Sequence, residues 1–191
     1  MSFEKIIAHV QKRVTLTQND IALFTSMLRM RVVSKGCKIL AEGHACHCIS
    51  YVESGLLRSF CIDRKGNDRT VMFAANDWWI TDMHGFVLDK PAIVSIEALD
   101  DSRIWELHKN DLDRLYHEVP VFEKFFRIMT QNAYIREQLR VTRDLTEDAT
   151  GRYRDFIERY PQFVERIPLK MIASYLGVTP QFLSVLRKKK H

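Results

Sequence analysis

The sequence predicts an α+β fold, and three observations carry that expectation. Helical periodicity opens the chain, the segment from Arg31 to about Leu107 breaks into short β-rich runs, and helical patterning returns from Lys109 onward. A length of 191 residues suits one large domain, or one medium domain with a small one attached. The hydrophobic fraction of 46% and the modest Gly and Pro counts are those of a folded globular protein.

The first segment, "MSFEKIIAHVQKRV", places Phe3, Ile6, Ile7 and Val10 on one helical stripe. "LTQNDIALFTSMLR" reads as a second helix, with Thr17 as its N-cap and Asp20 in its first turn. The runs "ISYV", "LLRSFCI", "RTVMF", "AIVSIEAL" and "SRIWEL" are strand-like, being rich in β-branched and aromatic residues. Turn signals such as "ESG" and "DRKGND" separate them, which suits a small antiparallel barrel or sandwich. "NDLDRLYHEVP" is a short helix stopped by Pro120. The next, from Val121 to Leu145, is long and free of Gly and Pro. Phe122, Phe126, Met129 and Ala133 form one apolar stripe on it, and Tyr134, Val141 and Leu145 a second. A face of that length is either core or a seam between two copies. Thr146 is read as the N-cap of a further helix, which Pro161 ends, and the domain boundary is expected between Asp144 and Thr146.

Charge is distributed unevenly. Lys and Arg number 29 against 24 Asp and Glu, yet no acid occurs from Ile167 to His191. The whole formal excess of +5 sits in that tail, on Lys170, Arg187, Lys188, Lys189 and Lys190, which points to an anionic partner at that end. No window approaches the roughly 18 consecutive apolar residues of a membrane span. The N-terminus lacks a signal-peptide layout, so a cytoplasmic location and no membrane partner are expected. Cys37, Cys46, Cys48 and Cys61 are then read as free thiols, buried or half-buried in a sheet. "GHACHC" gathers His44, Cys46, His47 and Cys48, but with spacing unlike a zinc site, so no metal and no cofactor are expected. Neither a Gly-rich phosphate loop nor a nucleophile elbow is present, which argues against an enzyme.

The tail "PLKMIASYLGVTPQFLSVLRKKK" parses as two short helices. Met171, Ile172 and Leu176 give the first an apolar face, Ala173 permits close approach, and Gly177 suits a left-handed stop. Val178 plugs the turn, Thr179 caps the second helix, and Pro180 takes its first position. Leu183 and Leu186 face inward. This is a helix-turn-helix layout followed by basic residues, the pattern of a nucleic-acid binder.

The order of parts resembles the Crp/Fnr family of bacterial transcription regulators over nearly the whole chain. "YVESGLLRSF" is similar to the family's strand pair around a turn glycine, here Gly55. "NDWWI" and "DKPAIVSIEALDDS" resemble its phosphate cassette and the strand after it. "IASYLGVTPQFLS" resembles the helix-turn-helix of a subgroup typical of Bacteroidetes. The resemblance implies a β-roll (double-stranded jelly-roll-like) sensor domain with a long dimerisation helix, residues 1–145, and a small all-α helix-turn-helix domain, residues 146–191. It implies DNA, a second copy through Phe122, Phe126, Met129 and Ala133, and RNA polymerase as partners. Thr179, Gln181, Ser184, Val185, Arg187, Lys188, Lys189 and Lys190 are the expected DNA-binding residues.

Two departures matter. Cyclic-AMP-binding members carry a Gly-Glu pair and an Arg-Ser or Arg-Thr pair in the cassette. Here Trp78 and Trp79 precede Ile80 and Thr81, and Pro91 precedes Ala92 and Ile93. A buried cyclic phosphate would lack its counter-charge. The candidate pocket is therefore Arg69, Trp78, Trp79, Thr81, Asp82, Ala92, Ile93 and Arg136, and its effector is something other than cyclic AMP, or nothing. The second departure is that only His191 follows Lys190, so the wing of better-known members is not expected. A signalling module whose helix-turn-helix no longer binds DNA is the alternative reading.

Overall fold

The computed structural model describes residues 2–188. Two helices open it: α1, Glu4–Gln11, and α2, Gln18–Ser26. Thr17 and Asp20 cap α2 reciprocally, each side chain bonded to the other's backbone N–H. The helix is shorter than its sequence pattern suggests. Leu28 already pairs with Leu107, because a full strand ladder outweighs one more helical turn.

Eight strands follow: β1 Leu28–Val33, β2 Lys38–Leu40, β3 Cys48–Ser54, β4 Leu56–Ile62, β5 Asp68–Ala75, β6 Trp79–Ile80, β7 Ser95–Ala98 and β8 Ser102–His108. They form two four-stranded sheets, ordered β1-β8-β3-β6 and β2-β7-β4-β5. Between β6 and β7 lies α3, Met83–Leu88, which the sequence pattern does not announce. "AIVSIEAL" is strand only from Ser95, since Ile93 and Val94 donate to a side chain rather than to a ladder. Gly55, between β3 and β4, has φ of +113°, and a Cβ there would lie 2.1 Å from Ser102 Oγ. Only glycine fits that turn.

The helical half comprises α4 Lys109–Glu118, α5 Val121–Thr146, α6 Ala149–Arg159, α7 Pro161–Val164, α8 Leu169–Leu176 and α9 Pro180–Lys188. Thr146 ends α5, and Asp148, not Thr146, caps α6 by accepting from the Gly151 N–H. Pro161 opens α7 at its first position instead of merely ending α6.

The chain clusters into two compact units. One holds the chain up to Cys61 with Phe73–Gln131, the other Ile62–Met72 with the chain from Asn132. The division falls inside α5 rather than at its end. In the first unit Ile6, Val10, Phe24, Tyr51, Trp105, Leu107, Leu115, Phe122, Phe125 and Phe126 share one core. Phe122 stacks 4.6 Å from Phe24, and Phe126 lies edge-on to Trp79 at 5.3 Å. The expected interface at Phe122, Phe126, Met129 and Ala133 is thereby corrected: Phe122 and Phe126 are spent inside the protomer, Met129 packs against the same core and Ala133 is half-buried. Burying each phenyl ring contributes about 1.5–3 kcal/mol to the fold, so a charge at Phe126 would unfold the unit rather than separate two copies.

In the second unit, the tip of the β4–β5 hairpin is tied to α8. Ser174 Oγ donates to the Asp68 carbonyl at 2.8 Å and accepts the Thr70 N–H at 2.9 Å. Arg140 of α5 donates to the Val71 carbonyl. Inside the hairpin loop, Asp63 accepts from the Lys65 and Asn67 N–H groups and from Arg69 Nε, and these hold its carboxyl well below the usual range.

His9 is buried on α1 between Tyr51 and Phe125, and its Nε2 has no hydrogen-bond partner. Burial first, then the Arg13 charge, push it down to about 4, against a smaller opposing pull from Asp77. An unfolded histidine titrates near 6.5, so between that value and 4 the unfolded chain holds more protons. Stability should fall as pH drops through that window, by about 3 kcal/mol in all, and flatten below it. Urea unfolding at pH 7 and pH 4.5 measures this, and His9→Phe should remove most of the difference.

Candidate functional site

In the first unit the cassette is built around Asp82. It caps α3, accepting the Gly85 N–H at 2.5 Å, and its other oxygen accepts from Ile93 and Val94 at 2.9 and 3.0 Å. The side chain is 2% exposed, so these three donors replace the water a carboxylate would otherwise keep. Asp82, one of the expected pocket residues, is therefore turned inward. A ring of backbone N–H groups of the kind that holds an oxyanion already holds one, supplied by the chain.

The neighbours follow from this. Thr81 donates to the Cys48 carbonyl at 2.9 Å and lies 3.2 Å from the Cys46 thiol. Ala92 is buried, whereas Ile93 is 56% exposed. Trp79 packs on Tyr51, Phe125 and Phe126, with an indole N–H that has no partner. Trp78 is half-buried, and its carbonyl accepts from Val52. The structure thus brings together Trp79, Thr81, Asp82, Ala92 and Ile93, all in the first unit. Arg69 and Arg136 belong to the second unit, where they meet Asp63 at 2.9 Å and Glu137 at 3.8 Å.

The four cysteines are unpaired thiols and are not uniformly sheltered. Cys37 is exposed, Cys46 is buried in the loop before β3, and Cys48 and Cys61 are half-buried on strands. Burial, with help from Glu106, pushes the Cys48 thiol up to about 11, which keeps it protonated and unreactive. Among the described residues no group of three or more His, Cys, Asp or Glu stands close enough to hold a metal ion.

The second unit carries the helix pair. Gly177 ends α8 at φ +69°, and the Val178 N–H then bonds the Ala173 carbonyl at 3.0 Å while the Gly177 N–H reaches Ser174. This is a Schellman closure, which needs the left-handed residue that glycine supplies. Thr179 Oγ1 accepts the Phe182 N–H at 3.2 Å and starts α9. The two helices meet at 107°, within the range of DNA-binding helix-turn-helix pairs. Ile172, Ala173, Leu176 and Leu183 are buried beneath them.

The outward face of α9 is defined by what that core leaves exposed: Gln181, Phe182, Val185 and Lys188, at positions i, i+1, i+4 and i+7. Thr179 and Arg187 are also exposed, and Ser184 is half-buried beside Leu183. Lys189 and Lys190 lie outside the described residues. Phe182 is the residue that sequence reasoning missed. It is 42% exposed, and the cue was its place one residue after Gln181 and three before Val185. No single described helix is long and apolar enough to cross a membrane.

Comparison with known proteins agrees with this architecture. Residues 30–118 match the family model of the cyclic nucleotide-binding domain. No curated protein sequence matches the chain. Among solved structures, FixK2 from Bradyrhizobium japonicum covers 85% of this chain and 83% of its own at 16% identity, with a TM-score of 0.74. A double mutant of CooA from Carboxydothermus hydrogenoformans covers 95% and 82% at 17% identity, with a TM-score of 0.72. The c-di-GMP-responsive global regulator CLP of Xanthomonas campestris covers 91% of each chain at 14% identity, with a TM-score of 0.71. A β-roll that matches the cyclic nucleotide-binding domain, followed by a long helix, gives this chain the fold of the Crp/Fnr-type regulators.

Proposed function

We propose that this protein is a dimeric, sequence-specific DNA-binding transcription regulator whose sensor cassette does not take cyclic AMP. The observation that carries the reading is the α8–α9 pair: a 107° crossing, a glycine-closed turn, and a second helix with one buried and one open face. On the open face Gln181 offers an amide matched to adenine N6 and N7, while Phe182 and Val185 offer apolar contact to thymine methyls. Arg187 and Lys188 follow on the last turn, where they meet phosphates. The likeness of "IASYLGVTPQFLS" to the Bacteroidetes-type subgroup points the same way.

Selection of bound sequences from a random DNA pool at moderate salt tests the reading directly. It should return a palindromic, A·T-containing site. Removing residues 187–191 should flatten the salt dependence of binding by about one log–log unit per lost phosphate contact. Phe182→Ala should weaken and relax the sequence preference. A pool that shows no enrichment would favour a sensor module that has lost DNA binding.

The second copy is assigned to the C-terminal half of α5. Tyr134, Ile135, Leu139, Val141 and Leu145 are 43–81% exposed there, an apolar surface on an otherwise charged helix. Two-fold pairing of this face makes the interface isologous and the operator palindromic. Light scattering of the native chain at micromolar concentration should give twice the chain mass, and Val141→Arg should give the monomer. A monomeric native chain would overturn the assignment.

The internal carboxylate of Asp82 supports the reading that the cassette refuses cyclic nucleotides. Calorimetry with cyclic AMP and cyclic GMP should show no binding in the micromolar range. Saturable micromolar heat with either nucleotide would sink it.

A further inference from the structure

The second unit holds a cluster of arginines that neither the α9 face nor the cassette uses. Arg136, Arg140 and Arg143 fall on one stripe of α5, and Arg152 and Arg159 lie two turns apart on α6. Together with Tyr175 of α8 they line a half-open cleft of about 40 Å³. Five guanidinium groups meet only two carboxylates in its lining, Asp144 and Asp155. The outer carboxylates Glu137 and Glu147 are 44% and 39% exposed, so water screens most of their charge.

The donors in this cleft are not used up. Arg140 Nε and Arg152 Nε are both buried, and neither has a hydrogen-bond partner. Asp144 lies 4.0 Å from the first and 3.6 Å from the second, near enough for charge attraction but beyond hydrogen-bond reach. The Arg140 guanidinium lies 4.9 Å from the Tyr175 ring centroid, which restrains it. The cleft therefore combines excess positive charge, two buried unused donors and a restrained planar fork, the chemistry that recognises a phosphoryl group.

We propose that this cleft binds an oxyanion, the phosphoryl group of a small phosphorylated ligand or free phosphate, between Arg140 and Arg152. Its walls are α5, α6 and α8, and Arg140 also holds the hairpin carbonyl of Val71. An anion drawn between these helices changes how firmly α8, and with it the helix-turn-helix, is held. That regulatory consequence rests on reading the chain as a DNA-binding regulator, whereas the anion binding does not.

The test uses the full chain without DNA. Thermal unfolding is followed during titration with inorganic phosphate, against sodium chloride of matched ionic strength, and then with adenosine monophosphate against adenosine. Phosphate should raise the midpoint saturably where chloride does not, because a ligand of the folded state stabilises it by mass action. Arg152→Gln and Arg140→Lys should each weaken phosphate at least about tenfold, since each removes a donor that the fork supplies. A stronger effect of the monophosphate, absent with adenosine, assigns the site to a phosphorylated small molecule. Equal effects of the monophosphate and phosphate assign it to the free ion. Should Arg152→Gln fail to fold, judged by its circular dichroism, Arg140→Lys carries the comparison. Equal midpoints in phosphate and chloride, or undiminished phosphate affinity in the folded variants, would overturn the proposal. So would loss of DNA affinity in Arg152→Gln without phosphate binding to the free chain, which would place a DNA phosphate there.

Discussion

The first unit depends on the anchoring of α5 by Phe122, Phe125 and Phe126. Three aromatic rings within five residues cannot share one narrow helical stripe, so they fill a broad arc of the helix and draw several elements to it. Phe122 meets Phe24 of α2, Phe125 meets His9 of α1 and Trp79 of β6, and Phe126 meets Trp79 and Tyr116. One turn and a half of helix thereby fixes the N-terminal helices, the strand that leads into the cassette, and α4. The dense contact has a cost in polar chemistry. His9 Nε2 and Trp79 Nε1 are both buried in this aromatic layer without partners, a penalty that packing offsets. Because the first half of α5 is committed inward, an open apolar face is left only on the second half.

Asp82 sets a different constraint, on what the cassette can accept. A carboxylate that caps a short helix and also gathers two N–H groups from a loop eleven residues later is a local cross-link. It shapes the loop and occupies its donors at once. An incoming phosphate would have to displace it and leave a buried carboxylate unpaired beside a second anion, which electrostatics opposes twice. The chain matches the cyclic nucleotide-binding domain over residues 30–118, while these cassette donors are used internally. On the proposed reading, match to a domain model and competence to bind that domain's namesake ligand are separable, and Asp82 is the side chain that separates them.

How much of this was legible in the sequence depends on the range of the interactions involved. The strands, the long helix and the α8–α9 pair were readable because their signals are local: alternation, absence of Gly and Pro, and the Gly177, Thr179 and Pro180 punctuation. The short helix α3 was not, since six residues carry too little periodicity and its cap gains its weight from Ile93 and Val94. The role of the α5 stripes was not either. Phe122 and Tyr134 look alike on a helical wheel, and only the positions of Phe24 and Trp79 decide which of them is buried. Arg136 was placed in the candidate pocket, but its company of Arg140, Arg143, Arg152 and Arg159 depends on how α6 packs against α5.

Phe182 shows the same limit on the open face of α9. In sequence it continues the apolar pattern of Leu183 and Leu186, and an aromatic beside two leucines reads as core. A helix of nine residues docked on α8 can bury only one arc, and Leu183 at its centre takes that place. Phe182 is rotated by about 100° from it and emerges next to Val185. An exposed phenyl ring costs the free protein solvation, and a surface of Gln181, Phe182 and Val185 offers few charged groups for reading bases. On the proposed DNA-binding reading, attraction to DNA would come from the basic residues at the end of α9, and discrimination from one amide and an apolar patch. Such a division makes affinity sensitive to salt, and preference sensitive to thymine methyl groups, as two largely separate properties of one helix.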